Sequence, residues 1–344
     1  MEMVLTPINN KENFTPEVTH NLSEKMEQAP LINQKAERKI SPFIEANTDE
    51  INFSNLKQDC IIPVFTKDNE ITISHQGFID SALKVTHRLF SNEHIELPEI
   101  RVSHQIKGRT PDALHIPAKE LQEHQRTMYY ERMAFIIRIP SITKTIGGNE
   151  LSLIIGGVRA YNLENLYNKK TYEKFKFFIG FQNMVCCNLC VSTDGFQNEI
   201  RTMGLLDLEV KMEEVIRAYN AERHLQEMEE LTNKSLTETQ FAQIIGKSRL
   251  YNFLPKKEKV EIPELMLNDG HISTVAREYY EDESFSRGEN GSISMWKFYN
   301  LLTGSNKSSY VDTFLDRGVN AFSFAKGVSN ALSDSNSNYA WFLS

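Results

Sequence analysis

Residues 126–190 read RTMYYERMAFIIRIPSITKTIGGNELSLIIGGVRAYNLENLYNKKTYEKFKFFIGFQNMVCCNLC. Three runs within this stretch, Tyr130 to Ile139, Glu150 to Tyr161 and Lys174 to Cys187, are rich in β-branched and aromatic side chains and are predicted as strands. Gly147-Gly148-Asn149 supplies hairpin chemistry between the first two, and ENLYNKKTYE is a longer polar connection between the second and third. Consecutive strands joined this way form a β-meander.

Upstream, PEIRVSHQIKGR alternates Ile100, Val102, His104 and Ile106 with Arg101, Ser103, Gln105 and Lys107, which predicts a half-buried strand with His104 as a hydrogen-bonded core position. Ser74 caps an expected helix carrying Phe78, Ala82, Val85 and Leu89 and ending near Asn92. CIIPVF and EITIS, separated by Lys67-Asp68-Asn69, suggest a further hairpin, and PAKELQEHQ a short helix. Residues 1–45 hold four prolines and few apolar side chains, so they are expected to be a mobile tail, with Leu22 to Ile32 a transient helix at most.

Downstream, Asp194-Gly195 turns the chain into a helix marked by Leu208, Met212, Val215 and Tyr219. Thr237 and Gln240 form a capping box for the next helix, which Pro255 stops. Ser294 caps a short helix with Trp296, Tyr299 and Leu302, expected to end at Gly304. Residues 310–332 form a last helix before the apolar YAWFLS.

The reading is an α+β fold: a central antiparallel β-meander sheet with packed helices and a mostly helical C-terminal half. Its regions are the tail at 1–45, the sheet region at 46–200 and the helical region at 201–344, packed on the sheet as one unit. Pro255-Lys256-Lys257 is the nearest candidate boundary. No internal repeat points to a solenoid or propeller.

The chain has 344 residues, of which 40% are hydrophobic and 24% charged, and a net charge of −8. No apolar run approaches the roughly 18 residues that cross a bilayer. The start, MEMVLTPINNKENF, has neither a basic nor an apolar leader region, so a cytoplasmic location without membrane contact is expected.

Cys186 and Cys187 with Cys190 offer half a zinc site, but the second pair is missing and Cys60 is the only other thiol. A chelating knuckle would need a turn at Asn188, so core packing is the expected role. TGSNKSS at 303–309 lacks the glycines and the preceding strand of a phosphate-binding loop; it reads as a helix end at Gly304 and a helix cap near Ser308 or Ser309, whose N-terminus could contact a phosphate. Six of the nine histidines fall between His75 and His124 without metal-ligand spacing. No hydrolase, metalloprotease or deaminase signature is present, which argues against an enzyme; no catalytic residue, metal or cofactor is implied.

Charge is more informative. From Arg126 to Lys176 there are nine Lys and Arg against four Glu. Strand parity sets Met133, Phe135, Ile137 and Ile139 on one face with Arg132 and Arg138 on the other, and opposes Phe175, Phe177, Ile179 and Phe181 to Lys174 and Lys176. An open cationic sheet face is the expectation, with Tyr129, Tyr161 and Tyr167 near the strand ends to stack on bases. Continuous alternation would turn Arg159 inward; a bulge at Gly156-Gly157 would swing it out. By contrast, Asp207 to Glu230 holds eight acids and three bases.

PEIRVSHQIKGR, YYERMAFIIRIPSI, GGVRAYNLENLY, KFKFFIGFQNMVCCNLCVSTDG, TQFAQIIGKSRLY and MWKFYNLLTGSNKSSYVDTFLDRGVNAFSFA, with the closing WFLS, resemble the full-length pattern of an uncharacterised family of Bacteroides-type bacteria, domain of unknown function 3871. That family is often carried on integrative elements and has no assigned catalytic residues. Val185-Cys186-x-Asn188-x-Cys190 and Trp296-x-x-Tyr299-Asn300-x-x-Thr303 are also similar to phage- and plasmid-borne proteins of unsettled role. The order of meander and long helix resembles that of single-strand annealing proteins, an analogy of element order alone.

The resemblance implies a mobile element's DNA handling or its contest with host defence. The leading expectation is a nucleic-acid-binding accessory protein, for binding or annealing single-stranded DNA, with Arg132, Arg138, Lys174, Lys176, Arg159 and Tyr161 as contacts. The alternative is an interaction or counter-defence factor that presents the acids of 207–230 and 278–289 to a host or element protein. A metal enzyme assembled only in the fold comes third.

Overall fold

The computed structural model describes residues 41–60, 72–113, 115–164 and 172–344. The hairpin expected across 61–71 and the helix at Leu22 to Ile32 lie outside the described residues, as do Tyr167 and the tail up to residue 40. Of the last five residues assigned to that tail, Phe43 and Ile44 are buried.

The meander is the frame. Strands β1 (Asp49–Glu50), β2 (Glu99–Arg109), β3 (Arg126–Ile146), β4 (Asn149–Ala160) and β5 (Glu173–Asn183) follow one another in space, all antiparallel. Strands β6 (Leu189–Cys190) and β7 (Phe196–Thr202) both pair with the far edge of β5. The turn between β3 and β4 places Gly147 and Gly148 at φ +54° and +81°, the doubly left-handed backbone that a two-residue hairpin turn requires and that glycine adopts without steric cost.

Helices α1 (Phe53–Asp59) and α2 (His75–Leu89) lie between β1 and β2 in the chain. The Ser74 hydroxyl accepts the Gly77 N–H at 2.9 Å and starts α2 as expected. Phe78, Ile79, Ala82 and Val85 then enter the core. Phe78 lies so close to Gly157 that a Cβ there would come within 2.4 Å of its ring.

After the sheet come α3 (Leu205–Ala218), α4 (Ala221–Glu230), the short β8 (Ser235–Leu236), α5 (Glu238–Phe253), α6 (Lys256–Lys259), α7 (Asp269–Glu281), β9 (Ile293–Ser294), α8 (Met295–Asn306) and α9 (Val311–Ala331). The capping box at Thr237 and Gln240 is formed on both sides. The fold is thus α+β, a meander followed by a mostly helical half, and Ile40–Ser344 constitute one compact unit.

Both faces of the sheet are covered. Ile100, Val102, Met133, Phe135, Ile137, Ile155, Phe177 and Ile179 share the larger core with α2 and α3. On the opposite face, Ala134, Ile136, Ile154, Val158 and Phe178 pack beneath Phe43, Ile44 and the α9 residues Val311, Phe314 and Leu315. Side chains of this size each contribute about 1.5–3 kcal/mol when buried, so Val311, Phe314 and Leu315 hold the start of α9 on this face.

Local differences from expectation have identifiable causes. The run expected as a strand through Cys187 ends at Asn183, because residues 184–186 turn and Cys187 takes φ +59°. His104 also takes a positive φ, +57°, and is exposed rather than in the core. PAKELQEHQ yields no helix but two tight turns, one closed by the Glu120 N–H on the Pro117 carbonyl and one at Glu123–Gln125. The α8 helix continues through Gly304 to Asn306, and α9 begins after Tyr310, not at Ser308 or Ser309. Lys307 between them is buried: its ammonium donates to Ser41 Oγ at 3.1 Å and to the Cys186 carbonyl. Its own carbonyl accepts the N–H groups of Glu45 and Ala46. Asp312 in the first turn of α9 disfavours an anion at that terminus.

Three histidines are interior. His75 donates Nε2–H to the Tyr130 carbonyl at 2.8 Å, His224 contacts the Tyr219 hydroxyl at 2.8 Å, and His271 Nε2 lies 3.0 Å from Ser309 Oγ. Burial lowers their pKa values from 6.5 to about 3, about 3 and about 4, respectively, with Arg159 adding to the effect at His75. The unfolded chain therefore binds these protons first as pH falls. Stability is complete above pH 6.5 and declines below it until the folded-state values are reached. By pH 5 each of His75 and His224 costs about 2 kcal/mol. Urea unfolding at pH 7 and pH 5 should show this decline, and His224→Phe should flatten it by about that amount; an unchanged slope would contradict a neutral, buried His224.

Candidate nucleic-acid interface

The cationic face expected from strand parity exists, but it is not open. Arg132 Nη1 lies 3.7 Å from Asp312 of α9, and its guanidinium lies over the Tyr310 ring. Lys176 binds Asp316, one helical turn further along α9, and donates to the Asp312 carbonyl at 2.7 Å. Arg138 reaches Glu96 at 2.6 Å, Glu99 at 3.5 Å and Gln182 at 2.8 Å. Lys174, at the rim, pairs with Glu199 at 2.8 Å. These four cations are matched to carboxylates, and three lie under or beside covering elements.

Arg159 is fully buried. The β3–β4 register runs without interruption from Ile136 opposite Gly156 to Met133 opposite Arg159, so no bulge turns it outward. Its guanidinium binds Glu164 and Glu173 and the Ile73 carbonyl, and stacks 4.6 Å from the Tyr161 ring. Tyr161 is 2% exposed and lies against His75, with ring centroids 4.5 Å apart. Burial raises the Tyr161 hydroxyl and the Glu164 carboxyl above their ordinary pKa values, against the opposing pull of Arg159. Perturbed groups gathered like this often mark active sites. Here they tie the start of α2, the end of β4 and the start of β5 together.

The cysteines are also interior. Cys187 and Cys190 are buried, Cys186 is half-buried, and all are free thiols. Burial pushes Cys186 and Cys190 up to about 12 and raises Cys187, the opposite of an activated thiolate. Nearby, Asn183 and Asn188 donate to Asn300 at 3.0 and 2.9 Å, closing the turn onto α8. Among the described residues no group of three or more His, Cys, Asp or Glu could hold a metal ion, and no helix is long and apolar enough to cross a membrane.

A different set of cations is unmatched. β4 begins to pair with β3 only at Arg132, opposite Ala160, and β1 meets β2 only at Arg101 and Val102. Beyond those points Gln105–Arg109 and Arg126–Tyr130 form a two-stranded arm, and His104, in its left-handed conformation, lies where the arm leaves the sheet. The register sets Lys107 opposite Met128 and Arg109 opposite Arg126. Lys107, Arg109 and Arg126 therefore share one face with Gln105. Lys107 and Arg126 are exposed, Arg109 is half-buried and donates to the Ile116 carbonyl, and none has a carboxylate partner among the described residues. Like charges directly opposite across a strand pair are unfavourable, so this arm tolerates an electrostatic cost that the sheet body removes with acids.

The sequence pointed to cations on this sheet but not to these. Lys107 was placed in a strand whose exposed parity was visible, while Arg126 sat outside the run expected to begin at Tyr130. The length of β3, 21 residues against 12 in β4, was the missed signal.

The architecture is an antiparallel meander with a helical half closed over it and a basic arm projecting from one end. Residues 25–343 match the family model described as domain of unknown function, B. Theta Gene description (DUF3871), and the chain belongs to that family. No curated protein and no solved structure matches the chain.

Arg159→Leu leaves Glu164 and Glu173 without their buried cation and should cost about 3–5 kcal/mol of stability. Lys174→Ala, at the solvated rim, should cost less than about 1 kcal/mol. Chemical denaturation of both variants tests the assignment; equal, small effects would mean Arg159 is not a buried anchor.

Proposed function

We propose that the protein is a nucleic-acid-binding accessory factor of a mobile genetic element, acting in the bacterial cytoplasm, and that the β2–β3 arm carries the contact. The supporting observation is the acid-free face of Lys107, Arg109 and Arg126 on a chain whose net charge is −8. Affinity for a polyanion follows local cation density and counterion release rather than the total charge. This reading moves the contact from Arg132, Arg138, Arg159 and Lys176, which are engaged internally, to the arm; Lys174 at the rim is the most exposed of the earlier candidates.

A second reading, an acidic interaction or counter-defence factor, is favoured by α3. Met203, Leu206 and Val210 are exposed at 61, 80 and 56% in a row along the start of this helix, and Glu214 continues the row. Exposed Glu222, Glu229 and Glu230 follow on α4. An apolar centre with an acidic margin suits a protein whose binding surface is apolar and rimmed by bases, the character of a DNA-binding partner.

Fluorescence anisotropy across a salt series tests the first reading. Binding should weaken with salt, and replacing Lys107, Arg109 and Arg126 with Ala should reduce the log–log salt slope by roughly two to three; Lys107→Ala with Arg126→Ala, both exposed, should reduce it by about two while leaving the melting temperature unchanged. Salt-insensitive binding, or an unaltered slope, would reject it. For the second, Leu206→Asp with Val210→Asp should abolish co-purification of an identified host nuclease or restriction component; absence of any such partner with the unaltered chain would remove that reading.

A further inference from the structure

We infer that the ligand of the β2–β3 arm is duplex DNA, read from its major groove by the face carrying Gln105, Lys107, Arg109 and Arg126; this inference rests on the arm being the nucleic-acid contact.

Shape is the first argument. The arm is two strands wide, and five residues of each strand extend beyond the neighbouring β1 and β4 pairings. At the usual strand rise that is about 17 Å of ribbon beyond the neighbouring strands, more than the roughly 8.5 Å depth of the B-form major groove, whose width of about 12 Å admits a two-stranded ribbon. The major groove of A-form RNA is too narrow for side chains to read, so the geometry selects DNA.

Chemistry is the second argument. Single-strand binding without sequence preference uses exposed rings on which bases stack. The rings of the described arm are Tyr129 and Tyr130, both half-buried. Tyr129 meets the Tyr161 ring edge-on at 6.0 Å, and the Tyr130 carbonyl is held by His75. The cationic face, which also carries Met128 and the half-buried Tyr130, offers an amide and two guanidinium groups. Those are the side chains that match base edges: Arg pairs with the O6 and N7 of guanine, and Gln with the N6 and N7 of adenine. Lys107 adds a phosphate contact between them. The opposite face carries Ile106, Gly108, Thr127 and Tyr129, so the amide and guanidinium groups are gathered on one side of the ribbon.

The arm is also a rigid part of the fold rather than a loose tip. β2 and β3 pair from Glu99 opposite Ile136 to Arg109 opposite Arg126 in one register, passing over only the left-handed His104, and the Thr110 N–H donates to the Gln125 carbonyl at 2.9 Å beyond the last pair. A ribbon anchored in a doubly covered sheet presents its side chains at fixed spacing, as base reading requires.

The test uses the full chain and three probes of equal length: a mixed-sequence 24-base-pair DNA duplex, one of its single strands, and the matching RNA duplex. The DNA duplex should bind at least tenfold more tightly than either competitor at about 0.15 M salt. Conversion of Lys107, Arg109 and Arg126 to Ala should remove that preference, and conversion of the exposed pair Lys107 and Arg126 alone should weaken it at least threefold with no change in thermal unfolding. Arg109→Lys together with Arg126→Lys, which keeps the charge but loses the bidentate fork, should retain affinity within about threefold while flattening preference among duplex sequences. Equal or tighter binding of the single strand or RNA, if lost in the Ala variant, would overturn the duplex inference and leave the arm as a nucleic-acid contact. No salt-sensitive binding of any probe, or binding indifferent to the Ala variant, would overturn the arm reading and this inference with it.

Discussion

Burial of the sheet on both faces is the constraint on which the rest of the structure depends. Ala134, Ile136, Ile154, Val158 and Phe178 alternate with the residues of the larger core, and the chain covers them with Phe43, Ile44 and the first turns of α9. Once a helix lies there, any cation on the same face must leave water, and a charge that leaves water needs a counter-charge. Asp312 and Asp316 provide it for Arg132 and Lys176, and Glu164 and Glu173 do the same for Arg159 from the other side. The internal ion pairs are consequences of the packing rather than its cause.

The same constraint separates the sheet into a body and an arm. Where the neighbouring strands stop, no α-helix covers the ribbon and no carboxylate pairs with its cations among the described residues, so Lys107 and Arg126 remain in solvent while Arg109 turns to the Ile116 carbonyl. An isolated two-stranded ribbon is marginal in water, so the arm depends on its continuity with the covered body for its order. Carrying two arginines opposite each other at its free end is unfavourable for folding and suited to a polyanion.

Much of the architecture was legible in the sequence. The hairpin at Gly147 and Gly148, the caps at Ser74, Thr237 and Ser294 and the stop at Pro255 rest on local stereochemistry, which a short window contains. Parity correctly separated Met133 and Phe135 from Arg132 and Arg138, because a strand's two faces follow from its backbone alone. What parity could not reveal was the fate of the second face. The near-continuous apolar run MAFIIRI, with Ala134 and Ile136 between the cations, already carried the signature of a strand buried on both sides. The left-handed backbone at His104 and Cys187 and the buried Lys307 arise from contacts more than a hundred residues away in the last case, which no local pattern encodes.

The seat of Phe43 and Ile44 under α9, fastened by Lys307, also bears on how the chain is made. During synthesis these early residues leave the ribosome long before Val311, Phe314 and Leu315 exist. The greasy second side of the meander must then wait uncovered while more than a hundred further residues are added between Phe178 and Val311, unless another protein shields it. The nascent chain therefore passes through a prolonged stage vulnerable to aggregation, and its need for chaperones should be set by the late arrival of one C-terminal helix rather than by the difficulty of pairing the strands.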